Sequence, residues 1–140
     1  MQAIGSSRGG RTSKLHGLTD EAGRPRILLI SPGNINDMQV AGDLIGRASG
    51  RFTRLIADKG YDTNAIRAAI TAQGGEPVIP STASRRAPIP YDRTAYRARN
   101  LVERLWCRLK DWRRVATRYD KLAVNYLSGA LIAATLMYWC

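Results

Sequence analysis

Two apolar runs, KLHGLTD (14–20) and RILLISPG (26–33), are separated by EAGRP, and this arrangement constrains the chain more than any other feature. Gly23 and Pro25 in the gap are turn residues, so the two runs read as a β-hairpin. Residues 34–46 then place Ile35, Met38, Val40, Ala41, Leu44 and Ile45 along one side of a helix that Asn34 or Asn36 can cap. FTRLIADKGYD (52–62) reads as a third strand ending near Asp58. Thr63 can cap the following helix, TNAIRAAITAQ, which Gly74 and Gly75 stop, and EPVIPS (76–81) supplies a fourth strand. Strand, strand, helix, strand, helix, strand is the order of an α/β layer fold with a mixed sheet.

The length, 140 residues, is that of one domain, enough to bury about 68–70% of the unfolded surface. Lys and Arg number 22 against 11 for Asp and Glu, giving a net charge of +11 on a chain that is 44% hydrophobic. That excess in a globular composition points to a polyanion, with nucleic acid first and an acidic membrane surface second. Cys107 and Cys140 are too few and too far apart for a disulfide framework or a cysteine zinc site, which fits a reducing, cytoplasmic compartment. His16 is the single histidine and reads as structural.

GSSRGGRT (5–12) comes close to a phosphate-binding loop, but Arg11 stands where lysine is needed and too few residues precede it for the required strand. Residues 1–13 therefore read as a basic arm, 14–81 as sheet and helices, 82–94 as a basic loop and 95–140 as C-terminal helices. The start, MQAIGSSRGGRTSK, lacks the apolar stretch of a secretory signal. Residues 122–140 carry no charge and are long enough to be weighed as a membrane span. A terminal helix buried on a sheet would have the same composition, and Asn125, Ser128 and Thr135 favour it; no membrane partner is expected.

The segment from Ala95 to Trp112 reads as one helix, followed by a break and an apolar helix starting near Asp120. At 100° per residue, Tyr96, Arg99, Glu103 and Lys110 project to one side, while Leu101, Val102, Leu105, Leu109 and Trp112 fall on the other. An ordinary surface ion pair between Arg99 and Glu103 would account for part of this pattern. Asp58, at a strand end beside Gly60, adds a carboxylate where α/β sheets place their ligands.

ADKGYD followed by Tyr96, Arg99, Glu103 and Lys110 in the spacing Y-x2-R-x3-E-x6-K resembles the DDE transposases of bacterial insertion sequences, of the IS-five-type group. The upstream GSSRGGRTSKLHGLTDEAGRPRILLISPGNINDMQVAGDLI is similar to the same family, so the likeness covers almost the whole chain. The resemblance implies an RNase H-like mixed sheet flanked by helices and two-metal phosphoryl transfer on DNA with Mg²⁺ or Mn²⁺. It makes Asp58 the second metal-binding carboxylate and Glu103 the third, with Asp62 a positional alternative to Asp58. Tyr96, Arg99 and Lys110 would place the DNA strand, and Lys59, Arg85, Arg86, Arg93 and Arg97 would attract its phosphates.

The family's first aspartate lies on the central first strand, ahead of the Arg-Gly-Gly segment, where this chain has no acidic residue. The expectation is therefore a truncated fold lacking that strand: a transposase remnant, or a second reading frame, inactive by itself. The partners implied are transposon-end DNA, further copies of the chain or a full-length transposase, with no small-molecule substrate. A non-catalytic DNA binder that modulates a full-length transposase is the alternative.

Overall fold

The computed structural model describes residues 2–8, 13–48, 52–111 and 123–139. The hairpin forms as its sequence demands: β2 (Ser13–Thr19) and β3 (Pro25–Pro32) pair antiparallel, with Leu15 opposite Ile30 and Leu18 opposite Ile27. Asp20 closes the turn by accepting from the amides of Ala22 at 2.9 Å and Arg24 at 3.0 Å, and Gly23 takes φ 79°. Helix α1 (Asp37–Arg47) is capped by Asn36, whose side chain accepts from the Met38 amide at 3.0 Å. Strand β4 is Arg54–Ile56, shorter than the 52–62 run suggested, because the backbone turns outward at Asp58 into a 3₁₀ turn, Lys59–Tyr61. Thr63 caps α2 (Asn64–Ala72) by accepting from the Ile66 amide at 3.1 Å, Gly74 ends it at φ 78°, and β5 is Glu76–Val78.

Residues Gln2–Arg8 correct the sequence reading. They form a strand, β1, rather than part of a basic arm, and it fills the place expected to be vacant: the sheet order is β3-β2-β1-β4-β5. β1 runs antiparallel to β2, with Gly5 opposite Gly17, and parallel to β4, with Ala3 opposite Ile56. Gly5, Ser6 and Ser7 give this segment weak strand propensity, but a strand flanked on both sides is set by pairing rather than by propensity. The rest of the expected arm, residues 9–12, lies outside the described residues.

Alternation along the strands divides the core between two faces. Leu15, Leu28, Ile56 and Val78 join one cluster with Val102, Leu105, Trp106 and Leu109, whereas Leu18, Leu55, Ala57 and Ile79 join the other with Leu44, Ile45, Ile66 and Ile70. Helices α1 and α2 thus cover one face of the sheet, and the C-terminal helices cover the other.

The helix expected over 95–112 is interrupted. It comprises α3 (Arg93–Tyr96), a 3₁₀ turn (Arg97–Arg99) and α4 (Asn100–Lys110). Asp92 moves the start forward by capping α3, accepting from the amides of Thr94 at 2.9 Å and Ala95 at 3.0 Å. Trp112 and the helix start near Asp120 lie outside the described residues. The last helix, α5 (Ala123–Tyr138), buries Tyr126, Ala130, Ala133 and Ala134 in the core beneath α4. Among the described residues no helix is long and apolar enough to cross a membrane.

Candidate active site

The three parallel strands β1, β4 and β5 end together, and the chain leaving β4 carries Asp58 at that edge. Its backbone is extended (φ −75°, ψ 171°), and its Oδ1 accepts from the Gly60 amide at 2.8 Å. Gly60 leaves room for this carboxylate: a Cβ at this position would lie 2.9 Å from that same oxygen and push the side chain aside. The local turn therefore aims Asp58 before any tertiary contact is made.

The tertiary contact comes from the 3₁₀ turn that leads into α4. Arg99 donates through Nη2 to Asp58 Oδ2 at 3.0 Å and through Nη1 to Glu103 Oε1, so one guanidinium holds both carboxylates. Arg99 is a quarter exposed, and its Nε is buried with no hydrogen-bond partner among the described residues. Burial opposes the charge on Arg99, but the hydrogen bonds to Glu103 and Asp58 outweigh it and raise its pKa. The Tyr96 phenol is also pushed up, first by burial, with Arg99 opposing and Asp58 adding to the rise, so it remains a proton donor at neutral pH. Tyr96 borders a hollow of about 440 Å³ together with Asp58, Lys59, Gly60 and Pro80.

The structure thus gathers Asp58, Tyr96, Arg99 and Glu103. Lys110 is exposed at the last residue of α4, about 10 Å along the axis from Glu103. Lys59, Arg86, Arg93 and Arg97 are exposed. Arg93 lies 5.9 Å from the ring centre of Tyr91, which itself meets Tyr96 edge to face with centroids 5.5 Å apart.

Arg85 behaves differently. Its Nη2 and Nε donate to the two oxygens of Asp62 at 2.9 and 3.0 Å, and Arg67 Nε donates to Asp62 Oδ1 at 2.7 Å. The Asp62 side chain is fully buried; burial alone would raise its pKa, but Arg85, the Thr82 amide and Arg67 hold it well below the usual carboxylate range. Asp62 therefore fastens the 82–85 segment to α2 and is no rival to Asp58 for the cleft. Sequence reasoning missed this cluster because its members are far apart in the chain; the one available signal was Arg67, a cation on the apolar side of α2. It also missed Arg54, which bridges Glu76 at 3.1 Å and the α3 cap Asp92 at 3.3 Å, and so ties the helix bearing Tyr96 to β4.

Two carboxylates with hard oxygen donors fit one divalent cation. Among the described residues no group of three or more His, Cys, Asp or Glu side chains is placed to hold a metal ion, and β1, QAIGSSR, contains no acidic residue.

The family model described as a transposase DDE domain matches residues 3–139. The chain belongs to the DDE transposase family. It is 30% identical over 129 residues to a transposase described for insertion sequence element IS6501 of Brucella ovis, covering 91% of this chain and 98% of that protein. It is also 30% identical over 137 residues to one described for insertion sequence element IS402 of Burkholderia cepacia, covering 91% of this chain but only 63% of that protein. Among solved structures, the catalytic core domain of BIV integrase superposes with a TM-score of 0.56 at 18% identity, over 96% of this chain and 80% of that one. The DDE transposase chain thus has the RNase H-like fold, and the sheet order and flanking helices described above are that architecture.

Proposed function

We propose that this DDE transposase chain engages the DNA ends of an insertion sequence, with Asp58 and Glu103 as the second and third carboxylates of a phosphoryl-transfer site. The observation that carries the reading is the convergence of both carboxylates on Arg99 at the mouth of the parallel strands. Asp58 and Glu103 would hold Mg²⁺ or Mn²⁺, which, when bound, polarises a phosphoryl oxygen and activates a nucleophile. Arg99 neutralises the pair until a DNA phosphate competes for its guanidinium, freeing carboxylate oxygens for the cation. Tyr96 offers a phenol proton from the wall of the hollow. Lys59, Arg86, Arg93, Arg97 and Lys110 supply sequence-independent attraction to the backbone, and Arg85 contributes indirectly by fixing the segment next to Arg86.

A three-carboxylate set needs a contribution from the central strand, and β1 has none to give. We therefore read the chain as incompetent for cleavage by itself. The expected result is no Mg²⁺- or Mn²⁺-dependent nicking of duplexes carrying the element's terminal repeats; robust nicking by this chain alone would refute the reading. The same feature of β1 favours a second reading, a DNA binder that modulates a full-length transposase by occupying DNA or co-assembling with it. Asp58→Ala and Glu103→Ala separate the two: a modulating binder keeps its effect in both variants, and a contribution to catalysis in trans is lost.

A further inference from the structure

At the far edge of the sheet, β3 and the C-terminal ends of α1 and α5 enclose a cavity of about 280 Å³. Its floor is apolar, formed by Leu18, Leu28 and Ala134, all buried. Its rim carries two exposed cations, Arg26 and Arg47, and among the described residues no carboxylate lines it. One wall is Trp139, an indole left 46% exposed. The guanidinium carbon of Arg26 lies 5.7 Å from the Trp139 ring centre and that of Arg24 lies 4.7 Å from it, while Arg24 Nε is bonded to Asp20 at 2.9 Å.

This cavity is separate from the Asp58 cleft. β3 and β4 stand three strand positions apart, about 14 Å across the sheet. Its two halves ask for different chemistry. Arg26 and Arg47, with no carboxylate among the described residues that line the same cavity, ask for an anion. The apolar floor and the indole wall ask for a flat, weakly hydrated group, and a bare phosphate would leave both unused. A nucleotide with its base unpaired satisfies both, since the base has a face to stack and the phosphate a charge to pair. A base inside a duplex hides its faces in the stack, so the fit is to a single strand.

We propose that the cavity is a second nucleic-acid site that seats one unpaired nucleotide of a DNA strand, its base against Trp139 and its phosphate against Arg26 and Arg47. The site would let the chain grip a second stretch of DNA while the Asp58 cleft is occupied.

The test is anisotropy of a labelled oligodeoxythymidylate with the full chain, against a duplex of equal length, with adenosine monophosphate and polyglutamate as competitors. The single strand is expected to bind more tightly than the duplex. Trp139→Ala and the double variant Arg26→Gln/Arg47→Gln should each weaken it about tenfold, and Trp139→Phe should recover part of the loss. Circular dichroism establishes that each variant is folded; should Trp139→Ala fail to fold, the comparison rests on Trp139→Phe and the arginine pair. Single-strand binding by Trp139→Ala within twofold of the parent chain overturns the proposal, as does displacement by polyglutamate at equal charge, which would mark a general anion surface or an acidic-peptide site. Displacement by the mononucleotide at equal nucleotide concentration would assign the cavity to a free nucleotide and overturn the strand assignment.

Discussion

Arg99 neutralises two carboxylates with one guanidinium, so removing it should act in opposite directions on stability and on cation binding. Both pairs are partly exposed, and such pairs contribute up to about 1 kcal/mol each after solvent screening. Arg99→Ala is expected to lose on that order in urea unfolding while binding Mn²⁺ more tightly, because Asp58 and Glu103 are left without their cation. Manganese EPR titration checks this, and weaker Mn²⁺ binding by the variant would contradict it. His16 gives a pH-dependent counterpart. It is 1% exposed, its Nε2 lies 2.7 Å from Ser31 Oγ, and burial first of all lowers its pKa, with Asp37 opposing and Lys14 assisting. The unfolded chain therefore takes up the proton before the folded one as pH falls. The stability His16 contributes is whole above about 6.5, its unfolded value, and is lost as pH falls towards the folded value. Urea midpoints at pH 7.5, 6.5 and 5.5 should drop steadily for the parent chain and less steeply for His16→Gln.

At the scale of elements, α4 carries Glu103 to Asp58 only if the helix sits close to the sheet, and Gly17 decides how close. A Cβ on Gly17 would lie 2.7 Å from Cη2 of Trp106 and 3.1 Å from Leu28 Cδ2. Gly17→Ala is expected to cost about 1–3 kcal/mol by overpacking, read as a fall in the urea midpoint, and to shift Glu103 relative to Asp58. An unchanged midpoint would mean that α4 yields freely. The elements on which this depends were unequally legible. The hairpin, α1 and α2 could be read because their apolar residues repeat at the period of the element and their caps, Asn36 and Thr63, are sequence-local. The pairing of Asp58 with the Arg99–Glu103 helix was anticipated only through the spacing of polar residues on one helical side and a family likeness. β1 was illegible because its strand character comes from two neighbours rather than from its own side chains, and the helix start at Arg93 was illegible because its cap, Asp92, reads equally well as a loop residue. The Asp62 cluster, held by residues up to 23 positions apart, left one signal in the chain, Arg67 on the apolar side of α2.

For the molecule as a whole, the net charge of +11 points to a polyanion but not to the cations that would meet it. The structure sorts them. Arg67 and Arg85 are spent on a buried aspartate, whereas Lys59 and Arg93 stand exposed beside the hollows at Asp58 and Tyr91. Each phosphate neutralised by a bound cation releases counterions, so the logarithm of affinity falls with the logarithm of salt by about 0.9 per contact on duplex DNA. Lys59→Ala and Arg93→Ala are each expected to reduce that slope by about 0.9 while barely moving the urea midpoint. Arg85→Ala should do the reverse: the slope stays as it was, and stability falls because Asp62 loses one of the two guanidinium groups that hold its charge in the interior. Affinities measured between 50 and 200 mM salt, about the range over which such contacts separate, decide the matter. A slope lowered by Arg85→Ala as much as by Arg93→Ala would mean that Arg85 leaves Asp62 when DNA arrives, and the 82–85 segment would then belong to the DNA-binding surface rather than to its support.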